Sequence, residues 1–404
     1  MTEQALAQLE EARLGGRLSE SAVKNIRTWL TEPCYSRYAP TVLEHIQEAK
    51  WQQLDDVFWT IIPFGTGGRR GRMYPIGSNA INDRTIGESA QGLADYVREH
   101  VSGPLTCAIA YDTRHRSREF AELCAGIMVA AGFQVFFLDG HRSTPALSFL
   151  VRQKKCSCGI MVTASHNPPS DNAVKVYWSS GGQVLPPHDD GIIQRVMGVA
   201  DIEEADFQTA VNDGQILLCG EAEDAAFFEK VNAEGFGGPR DVKIIYSPLH
   251  GVGKTAVCPV LEKAGFRNVE VFGPHATPDG DFPNVPGHVS NPENPRVFDS
   301  IIERGKEIGA DLILATDPDC DRMGCAAPLN LGGDAEWATL NGHQLGVLLA
   351  YFVLEQRRKA KTLSPNHYLV KTLVTTDMVR RVGASYVVKT CGDLLVGLKW
   401  FGGM

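Results

Sequence analysis

The chain has 404 residues, of which 43% are hydrophobic and 22% are charged, and this balance excludes a disordered, collagen-like or coiled-coil protein. Its 48 acidic residues outnumber its 39 basic residues, so the formal net charge of −9 makes the surface as a whole a poor ligand for nucleic acid or an anionic membrane. At about 150 residues per domain, the length predicts two or three domains.

The N-terminal segment is acidic and polar and carries no apolar signal core. The longest apolar run, residues 128–138, is interrupted by Gly132 and is too short to span a bilayer. Ten cysteines are spread along the chain without a CxxC pair, and several lie in apolar segments such as LTCAIAY. We therefore expect buried, reduced thiols rather than a zinc site, in a soluble protein of the cytoplasm.

Residues 1–60 are predicted to form a helical extension, because ALAQLEEARL and SAVKNIRTWL repeat apolar residues at three- and four-residue spacing. Ser19 and Ser21 offer a cap between these two helices. From about Ile61, predicted strands and helices alternate in the order LTCAIAYD, REFAELCAGIMVAAG, FQVFFLD, PALSFLVRQKK and CGIMVTAS. Such alternation predicts a mixed, mostly parallel sheet with helices on both faces.

A similar pattern returns twice further along the chain. VKIIYSP, a helix through VCPVLEKAG and FRNVEVF form a second copy, and YLVKTLV, DMVRRVG and ASYVVKT form a third. These copies favour tandem related α/β domains, although any α/β protein yields some likeness of this kind. With breaks placed in Gly- and Pro-rich stretches, the predicted domains are residues 61–205, 206–332 and 333–404.

The segment GIMVTASHNPPSDNAVKVYW places a polar loop after a buried strand, at the sheet edge where open α/β sheets bind ligands. Pro168 and Pro169 stiffen this loop. The hydroxyl of Ser165, the imidazole of His166 and the amide of Asn167 are therefore held at its tip. A stiff loop with an exposed serine suits a nucleophile or a phosphate carrier, and a plain polar turn is the alternative.

The segment DLILATDPDCDRMGCAA repeats this arrangement, with Asp317, Asp319 and Asp321 after a buried strand. In extended backbone these carboxylates face one side, where they repel one another unless a cation lies between them. Oxygen ligands favour Mg²⁺ over zinc. Arg322 is placed to pair with a phosphate that bridges to the metal. A turn whose aspartates cap backbone N–H groups is the alternative.

Two further loops resemble phosphate sites. In PFGTGGRRGRM the glycines let the backbone approach an anion and the arginines supply charge, with a flexible basic loop as the alternative. SPLHGVGKT resembles a P-loop, but Pro248 stands where the motif GxxxxGK[ST] has its first glycine, which disfavours an ATPase or kinase. His250 in this segment is expected to be structural.

Together, FGTGGRRG, TASHNPPSDNAVKVY, DPDCDRMG and VGLKWF resemble, in sequence and in order, the active-site loops of the α-D-phosphohexomutase family. The resemblance runs from about Phe64 to Phe401. The N-terminal extension and INDRTIGESAQGLADYV resemble the larger phosphoglucomutase or phosphopentomutase branch. The resemblance implies tandem α/β domains and a mutase that moves a phosphoryl group between C1 and C6 of an aldohexose, or C1 and C5 of a pentose, through a phosphoserine and a bisphosphorylated sugar.

The resemblance also implies the roles of individual residues. Ser165 is the phosphoserine, and Mg²⁺ binds its phosphate together with Asp317, Asp319 and Asp321. A lysine acts as a base only where its pKa is lowered, which neighbouring cations would do. The remaining roles are the phosphoserine contacts of Arg70 and Arg322, the acid–base work of Lys175, the active-site position of Lys371, the loop-shaping role of His166, and the substrate contacts of Lys389, Gly397 and Lys399.

Two departures from the family pattern bear on these expectations. Ala173 stands where the family usually has glycine, so the serine loop is expected to sit slightly differently. The sequence stops at Met404, before the family's Glu–Ser–Gly sugar-binding motif and its fourth, distal-phosphate domain. From this we expect an incomplete third domain and weak or absent mutase activity.

Two other functions stay open. A Mg²⁺-dependent sugar phosphatase would use Asp317 as its nucleophile and leave Ser165 unphosphorylated. A non-catalytic sugar-phosphate-binding module would bind substrate without turnover. In each case the partner is a small sugar phosphate, and the sequence indicates neither the sugar nor the oligomeric state.

Overall fold

The computed structural model describes residues 2–65, 67–330, 335–397 and 399–402. A bundle of N-terminal helices is followed by three α/β units in chain order, which confirms the predicted fold class. Within the described ranges, no helix combines the length and the apolar character needed to cross a bilayer. All ten cysteines are free, and six of them are buried.

The N-terminal bundle encloses an apolar core of its own. Its helices are α1 (Thr2–Leu14), α2 (Glu20–Thr31), α3 (Ala39–Gln47) and α4 (Trp51–Phe58). Ser19 caps α2, because its hydroxyl accepts the N–H of Ala22 at 3.2 Å. The same hydroxyl donates to Asp55 at 2.7 Å and so ties α2 to α4. The bundle contacts the first α/β unit where the Arg84 guanidinium lies 4.5 Å from the ring centroid of Tyr35.

The first α/β unit is built on a six-stranded sheet of order β1-β5-β4-β2-β3-β6. Its elements are β1 (Gly68–Arg72), α5 (Asp83–His100), β2 (Thr106–Tyr111), α6 (Ser117–Ala130), β3 (Gln134–Leu138), α7 (Thr144–Gln153), β4 (Cys158–Val162), β5 (Asp171–Trp178), α8 (His188–Met197), α9 (Phe207–Asn212) and β6 (Ile216–Cys219). Neighbours among β2, β3, β4 and β6 are parallel, whereas β5 is antiparallel to β4 and β1. Helices α5, α6 and α8 pack on one face of the sheet and α7 on the other.

The second unit has a five-stranded sheet of order β11-β10-β9-β7-β8. Its elements are α10 (Glu221–Ala233), β7 (Ile244–Ser247), α11 (Val257–Lys263), β8 (Val269–Val271), α12 (Asp299–Ile308), β9 (Leu312–Thr316), β10 (Met323–Pro328) and β11 (Trp337–Leu340). His250 is buried after β7, and its ring nitrogens bond to the carbonyls of Thr277, at 2.8 Å, and Pro283. This histidine has the structural role that was predicted, and the P-loop-like segment leads into a short 3-10 turn at Val252–Thr255.

The third unit contributes a pair of parallel strands in the described residues. Its elements are α13 (Gly342–Lys359), β12 (Tyr368–Thr372), α14 (Met378–Ser385), β13 (Lys389–Leu394) and α15 (Lys399–Gly402). The last strand begins at Lys389, near the end of ASYVVKT and not at its start as predicted, because α14 continues to Ser385.

The pairing of two short strands moves the two predicted boundaries between the α/β domains. Strand β6 lies after the predicted break at 205 but pairs with β3, in the first sheet. Strand β11 lies after the predicted break at 332 but pairs with β10, in the second sheet. Each of these strands has only four residues. Their pairing depends on partners distant in sequence, so local composition did not reveal it.

Candidate active site

The serine loop joins β4 to β5 and carries Ser165 at the edge of the first sheet. Ser165 is 4% exposed and has a left-handed backbone, with φ of 54°. Its N–H donates to the hydroxyl of Thr163 at 2.8 Å, and that hydroxyl donates to Asp112 at 2.6 Å. The loop is therefore anchored to the end of β2, and the strand-end position predicted for Ser165 is found.

The aspartate loop joins β9 to β10 in the second unit. One oxygen of Asp317 accepts the N–H groups of Asp321 and Arg322, at 3.1 and 3.0 Å. Carboxylate oxygens of Asp317, Asp319 and Asp321 all lie within 4.8 Å of one another. Their convergence was predicted from extended backbone, but it arises from a tight turn in which Cys320 has a φ of 55°.

The two loops meet, as the sequence reading required. Ser165 Oγ donates to Asp317 Oδ2 at 2.8 Å, across the boundary between the first and second units. The Arg322 guanidinium donates to both partners, through Nη2 to Ser165 Oγ and through Nε to Asp317 Oδ2 at 3.2 Å. The Ser165 hydroxyl, the Asp317 carboxylate and the Arg322 guanidinium are thus mutually hydrogen-bonded where the two loops meet.

His166 stands beside this point without acting as its base. Its Nδ1 is 3.4 Å from Ser165 Oγ and also contacts Arg322. Burial, together with the charges of Arg322 and Arg70, lowers the pKa of His166 to about 4. A neutral ring with so low a pKa is a weak proton acceptor, which fits the loop-shaping role predicted for it.

The carboxylates differ in their ionisation. Burial raises the pKa of Asp317, and the charges of Asp319 and Asp321 raise it further. Burial also raises the pKa of Asp321, with Asp319 adding to the effect. Burial also acts to raise the pKa of Asp319, but the ammonium of Lys175 at 2.8 Å and hydrogen bonds with Thr144 and Asp317 together outweigh burial and lower this pKa.

Lys175 lies in the cluster, but its surroundings are the opposite of those expected for a base. Its Nζ is 2.8 Å from Asp319 Oδ2 and 3.6 Å from Asp321 Oδ2. Burial lowers the pKa of Lys175, but these two carboxylates outweigh burial and raise it overall. In the cluster without a bound cation, Lys175 therefore balances the charge of the aspartates, and its acid–base role stays a prediction.

The aspartate cluster fits a metal ion. Asp319 Oδ1 and Asp321 Oδ1 are buried and, among the described residues, have no hydrogen-bond partner. A buried acceptor without a partner is costly, and a cation placed among three carboxylates would satisfy both atoms. In the described part of the chain, no other group of three or more His, Cys, Asp or Glu side chains converges in this way.

The glycine–arginine loop contributes one residue to the site. Arg70, on β1, donates to the carbonyl of Ala164 at 2.6 Å and to the side chain of Asn167, so its contacts are with the serine loop and not with Ser165 Oγ. Its neighbour Arg69 is 1% exposed and paired with the carboxylate of Glu88, so its guanidinium is not available to a phosphate. Ala173, the departure from the family pattern, is buried in β5 opposite Arg70.

One glycine of that loop, Gly68, serves packing. At Gly68, a Cβ atom would lie 1.7 Å from the carbonyl oxygen of Val174, and φ is +146°. Glycine is therefore required at this position so that β1 can approach β5. Thr66, within the same motif, lies outside the described residues.

The predicted residues of the third unit do not reach the cluster. Lys371 is buried and donates to the carbonyl of Thr375 at 2.9 Å, and Lys389 is exposed at the start of β13. Lys399 Nζ lies 4.0 Å from Asp189 on α8, and Gly397 has a φ of +128°. Within the described ranges, no hydrogen bond or ion pair joins these four residues to the serine or aspartate loops. Leu398 of VGLKWF lies outside those ranges.

Sequence reasoning missed two residues that shape the site. Thr144 donates to Asp319 through its N–H at 2.9 Å and through its hydroxyl at 2.7 Å, which joins α7 to the aspartate loop. Arg114 donates to four carbonyls of the serine loop. Both follow strand ends, so the rule that located Ser165 could have found them.

Comparison with known proteins agrees with this geometry. Residues 62–201 match the family model "Phosphoglucomutase/phosphomannomutase, alpha/beta/alpha domain I", and residues 225–330 match the corresponding domain II. The chain is 31% identical over 347 residues to the phosphoglucomutase of Staphylococcus saprophyticus, covering 85% of this chain and 61% of that protein. It is 29% identical over 405 residues to the phosphoribomutase of Saccharomyces cerevisiae, covering 93% and 63%.

A solved structure gives the same picture. The chain superposes on a Thermus thermophilus protein, provisionally named a phosphomannomutase, with a TM-score of 0.65 and 26% identity over 84% of this chain and 70% of that one. The chain spans 61% and 63% of the length of the two curated relatives described above.

Proposed function

Since the chain belongs to the phosphoglucomutase/phosphomannomutase family of α-D-phosphohexomutases, we propose that it is a phosphosugar mutase whose phosphoryl carrier is Ser165. The observation that carries this proposal is the 2.8 Å hydrogen bond from Ser165 Oγ to Asp317 Oδ2. It brings a hydroxyl from the first unit into the cluster of acidic and basic groups on the second. Such a junction is suited to holding a phosphate.

The reaction transfers a phosphoryl group from Ser165 to the sugar and then a different one from the sugar to Ser165. The bond between phosphorus and Ser165 Oγ breaks as a bond to a sugar hydroxyl oxygen forms, and in the net step the proton of that hydroxyl passes to Ser165 Oγ. The other phosphate of the resulting bisphosphorylated sugar then returns to Ser165 Oγ. The net change moves phosphate between C1 and C6 of a hexose, or C1 and C5 of a pentose.

The protein's own contribution is placement and charge. Phosphoryl transfer has a loose transition state, so positioning and neutralisation of the phosphoryl oxygens dominate catalysis. Arg322 already donates to Ser165 Oγ and is placed to neutralise a phosphate there. Arg70 and Lys175 add positive charge, one through the loop backbone and one beside the aspartates. Burial of Ser165 keeps water from competing with the sugar hydroxyl.

Mg²⁺ is the cation that we propose for Asp317, Asp319 and Asp321, because the donor set consists of oxygen atoms alone. When bound, it supplies positive charge that stabilises the phosphoryl oxygens. The two partnerless oxygens, Asp319 Oδ1 and Asp321 Oδ1, are the atoms that point to it.

The phosphatase alternative is not favoured. Asp317 Oδ2, the atom that would attack, already accepts from Ser165 and Arg322, and the curated relatives described above are named as mutases. The substrate is a small sugar phosphate, of glucose, mannose or a pentose. We also propose a reducing location, the cytoplasm, which the ten free thiols support.

Phosphosite mapping tests the proposal. The chain is incubated with Mg²⁺ and either glucose 1,6-bisphosphate or ribose 1,5-bisphosphate, and the bound phosphate is located by mass spectrometry. We expect phosphate on Ser165, its loss in Ser165→Ala, and its retention in Ser170→Ala, which removes an exposed hydroxyl of the same loop. A hydroxylamine-labile phosphate on Asp317 would indicate the phosphatase, and sugar binding without label would indicate the binding module.

A further inference from the structure

Arg114 is a buried arginine that none of the reaction steps above uses. It lies just after β2 and is 3% exposed. Its Nη1 donates to the carbonyls of Pro168 at 2.8 Å and Asp171 at 3.1 Å, and its Nη2 donates to the carbonyls of Ser165 and Asn167. One guanidinium therefore holds both ends and the tip of the serine loop.

The backbone of Arg114 is itself held in place by Asp112. Asp112 accepts the N–H of Arg114 at 3.0 Å and the hydroxyls of Ser117 and Thr163 at 2.7 and 2.6 Å. Thr163 in turn accepts the N–H of Ser165 at 2.8 Å. Asp112 therefore fixes Ser165 in two ways: Thr163 binds the Ser165 N–H, and Arg114 binds the Ser165 carbonyl.

Ser165 needs such support because of its backbone. A φ of 54° is unfavourable for a residue with a side chain, and such a conformation persists only where the surrounding structure enforces it. The direction of the Ser165 side chain, and hence its approach to Asp317, depends on that conformation. A planar guanidinium can span four carbonyls, whereas an ammonium offers its donors from a single point.

The second unit closes over Arg114. The ring of Phe282, which is 0% exposed, lies with its centroid 5.0 Å from the Arg114 guanidinium carbon. Contacts on either side tie the same segments together: Thr113 donates to the carbonyl of His250 at 3.0 Å, and the His115 ring lies 2.8 Å from a carboxylate oxygen of Asp281. The unit that carries the aspartates therefore also presses on the residue that orients the serine.

We propose that Arg114 is a positioning residue that sets the place of the Ser165 hydroxyl relative to the aspartate cluster, and that Phe282 holds Arg114 in the required orientation. This inference rests on the proposed phosphoserine chemistry. Arg114 does not contact Ser165 Oγ, so it acts on phosphoryl transfer through the loop backbone and not through the substrate.

The test compares Arg114→Lys with wild type and with Arg118→Lys. The first variant keeps the charge and loses the planar set of donors, and the second makes the same change at an exposed arginine paired with Glu122. The rate of Ser165 phosphorylation is measured against glucose 1,6-bisphosphate concentration at fixed Mg²⁺. Misplacement of the serine by about 1 Å predicts a fall in the maximal rate on the order of a hundredfold, with an unchanged half-saturating concentration.

A folded Arg114→Lys protein that is phosphorylated at the wild-type maximal rate would overturn the inference. A variant in which only the half-saturating concentration rises, with the maximal rate unchanged, would overturn it as well. If Arg114→Lys does not fold, Phe282→Leu decides: it keeps the four carbonyl contacts and removes the ring above the guanidinium. A folded Phe282→Leu protein is expected to show at least a severalfold lower rate, and the wild-type rate would refute the inference. Absence of label on wild-type Ser165 would instead refute the proposed function.

Discussion

Replacing Asp321 by asparagine is expected to change stability with opposite signs in the absence and presence of Mg²⁺. A carboxylate oxygen of Asp321 lies within 4.8 Å of those of Asp317 and Asp319, and at an effective dielectric constant of about 20 each such pair repels by at least about 3 kcal/mol. Lys175 and Arg322, at 3.6 and 3.5 Å, each attract it by about 5 kcal/mol on the same scale.

These opposing charges come close to cancelling, and burial then decides the sign. The pKa of Asp321 is raised, so the charged carboxylate opposes folding at neutral pH when no cation is bound. Asp321→Asn removes that charge and keeps the shape, and we expect metal-free protein to be unchanged or more stable by about 1 kcal/mol. Mg²⁺ at about a hundred times its dissociation constant stabilises wild type by about 2.7 kcal/mol, and the variant should lose most of this gain.

Thermal unfolding in EDTA and across a Mg²⁺ titration measures both effects. Asp213→Asn, at an exposed carboxylate of the first unit, is the matched control and should follow wild type in both conditions. An Asp321→Asn protein with the wild-type response to Mg²⁺ would refute the assignment of the cation to this cluster. A variant clearly less stable than wild type in EDTA would refute the charge argument.

Two further predictions concern the scaffold. Gly68→Ala should destabilise the first unit by more than about 3 kcal/mol in urea unfolding, because its Cβ would lie 1.7 Å from the Val174 carbonyl oxygen. The control Gly16→Ala, at a glycine with a φ of +70° but open space around it, should cost about 1 kcal/mol. Similar costs for the two variants would contradict the packing argument. Burial lowers the pKa of His275, which bonds to Asn284, so its contribution to stability is present above pH of about 6.5 and is lost as the pH falls below it. Unfolding midpoints at pH 7.5 and 5 should therefore differ less in His275→Gln than in wild type, and an equal difference would contradict this.

Most elements with a strong apolar period were predictable. The strands β2, β3, β4 and β7 and the helices α6 and α7 lie where their sequence patterns placed them, because side-chain periodicity is a local property. The short strands β6 and β11 were assigned to the wrong units, since hydrogen-bond partners far along the chain determine which sheet a strand joins. The start of β13 was also wrong, because α14 extends further than its sequence pattern indicated.

The candidate site was predictable in its polar loops and not in its electrostatics. The strand-end rule and the residue types pointed to Ser165 and to the three aspartates. The carboxylates that raise the pKa of Lys175 could not be identified from the sequence, because only folding brings them next to it. The strand-end rule also applies to Arg114, but the sequence did not indicate that its guanidinium bonds to carbonyls of the serine loop.

The sequence by itself determined the chemistry that is available: a serine in a stiff loop, three oxygen donors in another, and basic residues near both. Only the tertiary structure decided that these groups form one centre, because Ser165 and Asp317 are 152 positions apart and meet across two sheets. It also decided which charges are free to act. Arg69 forms a buried ion pair with Glu88, while Arg322 donates to Ser165 Oγ. The difference arises because packing of the domains determines which partners lie within hydrogen-bonding distance of each arginine.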